Sequence, residues 1–245
     1  MLFVLCYRYV GKCESYFFRF ARHIQWVSRR YPTVFPGEAI KWPTTLCLTF
    51  DAPTIDFYYY IFPLLERYHV KALIAVSPLS IPHFSSLTLR ERLAMVQKFS
   101  HRSPFFPSST LCTWKELIQL CCSPWISIVS RGVHQGSIDA PNGNPEYELF
   151  VSKLLLEEIL GEKVLTFVYP CGKCNSFIHQ LAKKHYPYIM CLKHSLNMSW
   201  YNSDQLIYRI EIDQLDSLRS ILSWYRRSFL FFRYFGHRIA ASFKR

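Results

Sequence analysis

The groups able to do chemistry lie in three short segments, each directly after an apolar run. They are Phe50-Asp51-Ala52-Pro53, Ser130-Arg131-Gly132-Val133-His134 and Tyr169-Pro170-Cys171-Gly172. A carboxylate, a guanidinium and an imidazole are the groups from which acid–base work, anion binding or metal ligation is built. The third segment continues as Cys171-Gly172-Lys173-Cys174, a spacing used by dithiol redox centres and by zinc sites. No second such pair completes a zinc ribbon, and the adjacent Cys121-Cys122 is a poor chelating geometry. Gly132 and Gly136 around His134 are too sparse for a phosphate-cradling loop, and no G-x-x-x-x-G-K-[ST] occurs. A serine-hydrolase elbow, G-x-S-x-G, is absent too.

The apolar runs before those segments belong to a longer series. Strands are expected over 2–10, 45–51, 72–77, 125–131, 164–170, 188–192 and 207–212. Between them the patterns are helical, over 14–29, 57–68, 87–99, 114–122, 145–160, 176–185 and 215–227. Thr113-Trp114-Lys115-Glu116 is a capping box that marks where the fourth helix begins. Pro63 falls inside the second helical pattern, which must kink there or start late. Strand followed by helix, many times over, implies parallel strands joined by crossovers. Ala72-Leu73-Ile74-Ala75-Val76 is apolar on both faces, as a buried parallel strand is. The fold class is therefore α/β, and about seven units could close into a barrel or stay an open sheet. Either way the working groups collect at the carboxyl ends of the strands, where the three segments lie.

The chain has 245 residues, half of them hydrophobic and 17% aromatic, which excludes a disordered chain. One domain over 1–225 is expected, with a separate tail over 226–245. Basic residues outnumber acidic ones 29 to 17, a net +12 that favours anionic partners. After Asp216 no acidic residue occurs, while Arg219, Arg226, Arg227, Arg233, Arg238, Lys244 and Arg245 alternate with aromatics such as Phe229, Phe232 and Phe235. That composition suits an interfacial helix on an acidic membrane, or a last helix packing its aromatics on the domain. No helix-turn-helix, finger or RNA-binding signature is present, so nucleic acid is not expected as a partner. Nine irregularly spaced cysteines fit a reducing compartment. The apolar opening is broken by Arg8, too early for a signal-peptide core, and no apolar run reaches the roughly 18 residues of a membrane span. The expected location is cytoplasmic, at most membrane-peripheral.

Taken in order, the segments resemble the polysaccharide deacetylases, the NodB-like carbohydrate esterases. LCLTFDAPTIDFYYYIFPLLERYHVKALIAVSP, over 46–78, is similar to that family's opening strand, Thr-Phe-Asp-Asp motif, following helix and next strand. Residues 113–117 and 126–134 resemble its Thr-Trp-x-Glu-Leu helix and Ser-His-x-x-x-His strand end. VLTFVYPCGKCN, over 164–175, resembles its Tyr-Pro-x-Gly-x-x-Asn segment, which accounts for Tyr169, Pro170, Gly172 and Asn175 without thiol chemistry. Tyr208-Arg209-Ile210 matches a later family strand. The resemblance implies a distorted (β/α) barrel that removes N-acetyl groups from sugar polymers. It also implies a zinc-like divalent metal held by an Asp and two His, with water at the open position.

At the implied positions the sequence departs. Asp51 matches the base, but the metal-binding Asp is Ala52, the first His is Arg131, and the second falls on Gln135 with His134 one residue early. Where the family often has Tyr-His, this chain has Tyr7-Arg8. A methyl group binds no metal, and a guanidinium has no lone pair to offer. The reading is a degenerate, noncatalytic relative needing no cofactor, with a glycan cleft at Asp51, Arg131, His134, Tyr169, Pro170 and Arg209. Arg131 is expected either to pair with Asp51 or to grip an anionic ligand. Two alternatives stay open. One is an active hydrolase of N-acetylated glycans, with Asp51 as base and His134 in a rearranged site. The other is a membrane-surface protein using the tail. His194 would be the stand-in for the family's acid.

Overall fold

The computed structural model describes residues 1–7, 14–98, 105–136, 138, 143–172, 175–202, 204–212 and 222–242. Its parallel strands are β1 (Leu2–Tyr7), β2 (Thr45–Phe50), β3 (Ala72–Val76), β4 (Ile126–Ser130), β5 (Thr166–Val168), β6 (Tyr188–Leu192) and β7 (Leu206–Glu211). They lie side by side in chain order, and β7 returns to β1 in the register Val4↔Arg209, Leu5↔Ile210, Cys6↔Glu211. That closure makes the sheet a seven-stranded barrel rather than an open sheet. Every residue of β1, β2, β3 and β5 is buried, because a parallel barrel strand faces core on both sides. The distortion is local: β4 and β5 meet through the single pair Ser130↔Phe167, whereas β1 and β2 run together for six.

Alternation along the pleat divides the core into two layers. Leu2, Val4, Cys47, Leu73, Ala75, Val129, Val168, Met190 and Ile207 cluster inside the barrel. Their neighbours in sequence, such as Phe3, Leu5, Leu46, Leu48, Ile74 and Ile189, pack outward under the helices. Those helices are α1 (Glu14–Ser28), α2 (Phe62–Arg67), α3 (Leu89–Lys98), α4 (Trp114–Cys121), α5 (Pro145–Leu160), α6 (Ser176–His185) and α7 (Trp224–Ser242). Pro63 acts as expected of a residue without an N–H: a π-helical stretch over Phe57–Ile61 precedes α2, and the proline sits in the first turn of α2. The capping box forms at α4, with Thr113 and Glu116 each satisfying the other's backbone amide.

The last helix differs from its expected bounds. It runs over Trp224–Ser242 rather than ending at Arg227, and residues 213–221 lie outside the described residues. Leu230 and Tyr234 turn into the core, Tyr234 Oη donates to Asn202 Oδ1 at 2.9 Å, and Ser195 Oγ donates to the Leu230 carbonyl at 3.4 Å. Apolar anchors a turn apart therefore dock much of the expected tail on the barrel. No helix among the described residues is long and apolar enough to cross a membrane.

Candidate functional site

The pleat that buries Cys47, Ala75, Val129 and Ile207 inside the barrel carries Asp51, Ser77, Arg131 and Arg209 onto the same face, two or four residues further on. Asp51 follows β2, and its Oδ1 accepts a hydrogen bond from Arg209 Nη1 at 2.6 Å. The two side chains are 9% and 1% exposed. The same Nη1 lies 3.3 Å from Thr49 Oγ1 and 3.4 Å from Cys6 Sγ. Burial works against the charge on Arg209, but the Asp51 carboxylate more than offsets it and holds the guanidinium's pKa above its ordinary value. This buried charge-assisted pair joins β7 to the end of β2 across the barrel mouth.

Arg131, just past β4, was expected to pair with Asp51 or to meet an anion. The pairing is not made: Arg209 occupies the carboxylate, and Arg131 Nη1 donates to the Asp51 backbone carbonyl at 3.2 Å. Arg131 lines a small cleft with Asp51, Ala52, Ser77, Leu111 and Gln135. Gln135 is held to one backbone stretch, its Oε1 accepting from Phe106 N at 2.6 Å and its Nε2 donating to Phe106 O at 2.8 Å.

The other expected residues are placed elsewhere. His134 is exposed, and its Nδ1 shares a 2.6 Å hydrogen bond with Glu148 Oε1, whose other oxygen accepts from the Val133 and His134 amides at 2.6 and 3.1 Å. Tyr169 follows Val168, so the alternation turns it outward: its hydroxyl lies 3.4 Å from His179 Nδ1 and its ring packs edge-on against Phe167. Pro170 opens a 3₁₀ turn over Pro170–Gly172, and neither it nor Tyr169 lines the cleft. Gly172 is required in that turn. Its φ is +71°, and a β-carbon there would meet the Leu192 side chain at 2.5 Å. His194 is exposed, with φ +46°, its amide bonded to the Arg209 carbonyl. Arg8 and Cys174 lie outside the described residues. Sequence reasoning missed Glu148 and Gln135 as the groups that fix the loop after β4. Glu148, in the first turn of α5, carried no motif to mark it.

The residues present do not fit a metal. Ala52 offers a methyl group, Arg131 a buried cation, and the Gln135 amide is engaged at both ends by Phe106. No group of three His, Cys, Asp or Glu side chains among the described residues is placed to hold an ion. A fixed guanidinium would also repel a divalent cation set beside it.

No family model and no curated protein sequence matches this chain. Solved structures do. IcaB from Ammonifex degensii superposes with a TM-score of 0.71 at 17% identity, covering 92% of this chain and 97% of that one. The Streptococcus pyogenes deacetylase PplD, solved in complex with acetate, gives 0.69 at 19% identity over 91% and 98% of the two chains. BC0361, a polysaccharide deacetylase from Bacillus cereus, gives 0.67 at 15% identity over 91% and 68%. Barrel and superpositions together define the class: a distorted (β/α) barrel with the NodB-like polysaccharide deacetylase fold. The ordered motifs implied that architecture, and the likeness extends along nine-tenths of the chain.

Proposed function

We propose that this chain is a non-hydrolytic relative of the polysaccharide deacetylases that binds a sugar polymer in the cleft at Asp51, Ser77, Arg131 and Gln135. The observation that carries this reading is Arg131, a buried guanidinium standing where the resemblance implies a metal-binding histidine. Deacetylation by the implied route needs a cation that acidifies water, and a guanidinium has neither an open coordination position nor a lone pair to exchange. The cleft, its strand-end setting and the relatives' names support a glycan as ligand.

The test is to incubate the protein with chitotetraose, with and without added zinc, and to measure acetate release beside calorimetric binding. Binding that survives chelator and the Asp51→Asn substitution, with no acetate released, is the expected result. Acetate release abolished by Asp51→Asn would overturn it in favour of hydrolysis, with Asp51 as base and Arg131 stabilising the oxyanion. A second reading, attachment to an acidic membrane surface, is favoured by Phe229, Phe232 and Phe235, which α7 leaves 57%, 72% and 44% exposed.

A further inference from the structure

Three arginines are buried among the described residues, and two of them meet carboxylates. Arg92 forks onto Glu116 at 2.8 and 2.9 Å, and Arg209 pairs with Asp51 at 2.6 Å. Arg131, 5% exposed, differs. Its hydrogen bond goes to a peptide carbonyl at 3.2 Å, and no carboxylate among the described residues pairs with it; the buried Nε is without an acceptor in all three, so the missing carboxylate is what sets Arg131 apart. A guanidinium has five N–H donors and cannot shed its charge, so a buried one without a counter-charge is costly. The neighbouring carboxylate is already committed to Arg209, so no described side chain supplies the missing anion.

We infer that Arg131 is the receptor for a carboxylate carried by the ligand, and that the cleft takes an acidic sugar, a uronic-acid residue of a polymer. This rests on the reading of the chain as a sugar binder. A planar carboxylate matches the guanidinium fork through two parallel hydrogen bonds. Ala52, Pro53 and Leu111 give the same cleft an apolar wall for the carbon face of a ring. The free space is about that of one water molecule, far below the roughly 300–1,000 Å³ of ordinary small-molecule pockets, so only a carboxylate-sized edge enters and the rest of the polymer stays outside. A neutral amide-bearing sugar would leave the buried charge unanswered. The net +12 of the chain draws a polyanion toward it.

Calorimetry with four probes tests this: a β-1,4-glucuronic acid tetramer, cellotetraose of the same backbone without carboxylates, chitotetraose, and sodium acetate. The wild-type chain should bind the glucuronic acid tetramer at least tenfold more tightly than either neutral oligomer. Arg131→Gln should remove that preference and, without ligand, melt at or above the wild-type temperature, because an unpaired buried charge is gone. Arg131→Lys, which keeps the charge without the fork, should retain only part of the preference. Chitotetraose bound as tightly as the acidic tetramer would overturn the acidic-sugar inference while leaving the sugar-binding reading intact. Protection by acetate with no oligosaccharide binding would instead overturn the sugar-binding reading. A destabilised Arg131→Gln protein that still prefers the acidic tetramer would remove Arg131 from the role.

Discussion

Asp56 shows how much one side chain can set. It lies in the turn between β2 and the π-helical stretch, 3% exposed, with no well-aligned hydrogen bond to either carboxylate oxygen. Burial pushes its pKa up to about 6, with Thr54 and nearby amides pulling the other way. An aspartate in the unfolded chain titrates near about 3.9. Between those values the folded chain holds a proton that the unfolded chain has released, so stability falls as pH rises through the window, and the full cost stands above it. A gap of about two units corresponds to roughly 3 kcal/mol. Asp56→Asn should therefore stabilise the fold at pH 7.5, by about 1–3 kcal/mol in urea titrations, and by clearly less at pH 4.5. An equal gain at both pH values would show that the carboxylate's charge is not the cause. At this scale the sequence was only partly legible. Asp51, Arg131 and Arg209 stand out by motif, but the partner of Asp51 lies 158 positions away, and only barrel closure decides which arginine reaches it. Tyr169 shares a segment with the site, yet one step of pleat parity turns it outward to His179.

Among the elements, α4 carries more than its capping box. Glu116 closes the box with Thr113 and also takes the fork of Arg92 from α3, while Arg92 Nη2 donates to the Leu111 carbonyl at 2.7 Å. The ion pair is largely buried, its side chains 6% and 18% exposed. Removing one partner leaves the other charged in the core, so Glu116→Ala should cost about 3–5 kcal/mol, well beyond the roughly 1 kcal/mol of a lost cap. Arg92→Met with Glu116→Gln should recover much of that loss, since a matched apolar and neutral pair strands no charge. If Glu116→Ala costs only what a cap costs, measured by the shift in urea midpoint, the pair contributes nothing to the fold. The box was readable because its four residues are consecutive. The pairing was not, since Arg92 lies 24 positions earlier on another helix. The same contrast explains the sheet. Runs such as 72–76 announce buried parallel strands locally, whereas closure depends on β1 meeting β7 from the far end of the chain.

Across the whole molecule, charge and the outer face of α7 point the same way. The chain carries +12, and α7 docks through Leu230 and Tyr234 while Phe229, Phe232 and Phe235 face outward beside Arg233. Removing the helix would strip Leu230 and Tyr234 from the core, so exposed positions are the ones to change. Aromatic rings insert at the headgroup boundary, and each basic residue near an anionic surface adds about 1 kcal/mol. Sedimentation with vesicles of phosphatidylcholine and phosphatidylserine should pull the protein down, and vesicles of phosphatidylcholine alone should do so far less. Raising salt from 0.1 to 0.5 M should weaken the association several-fold, because the Debye length falls from about 10 Å toward 4 Å. Phe229→Ser with Phe232→Ser should remove most of the binding without shifting the melting temperature, since both rings are more than half exposed in the folded chain. Equal binding to neutral and acidic vesicles, or binding indifferent to those two substitutions, would leave the basic surface of the molecule with no membrane role.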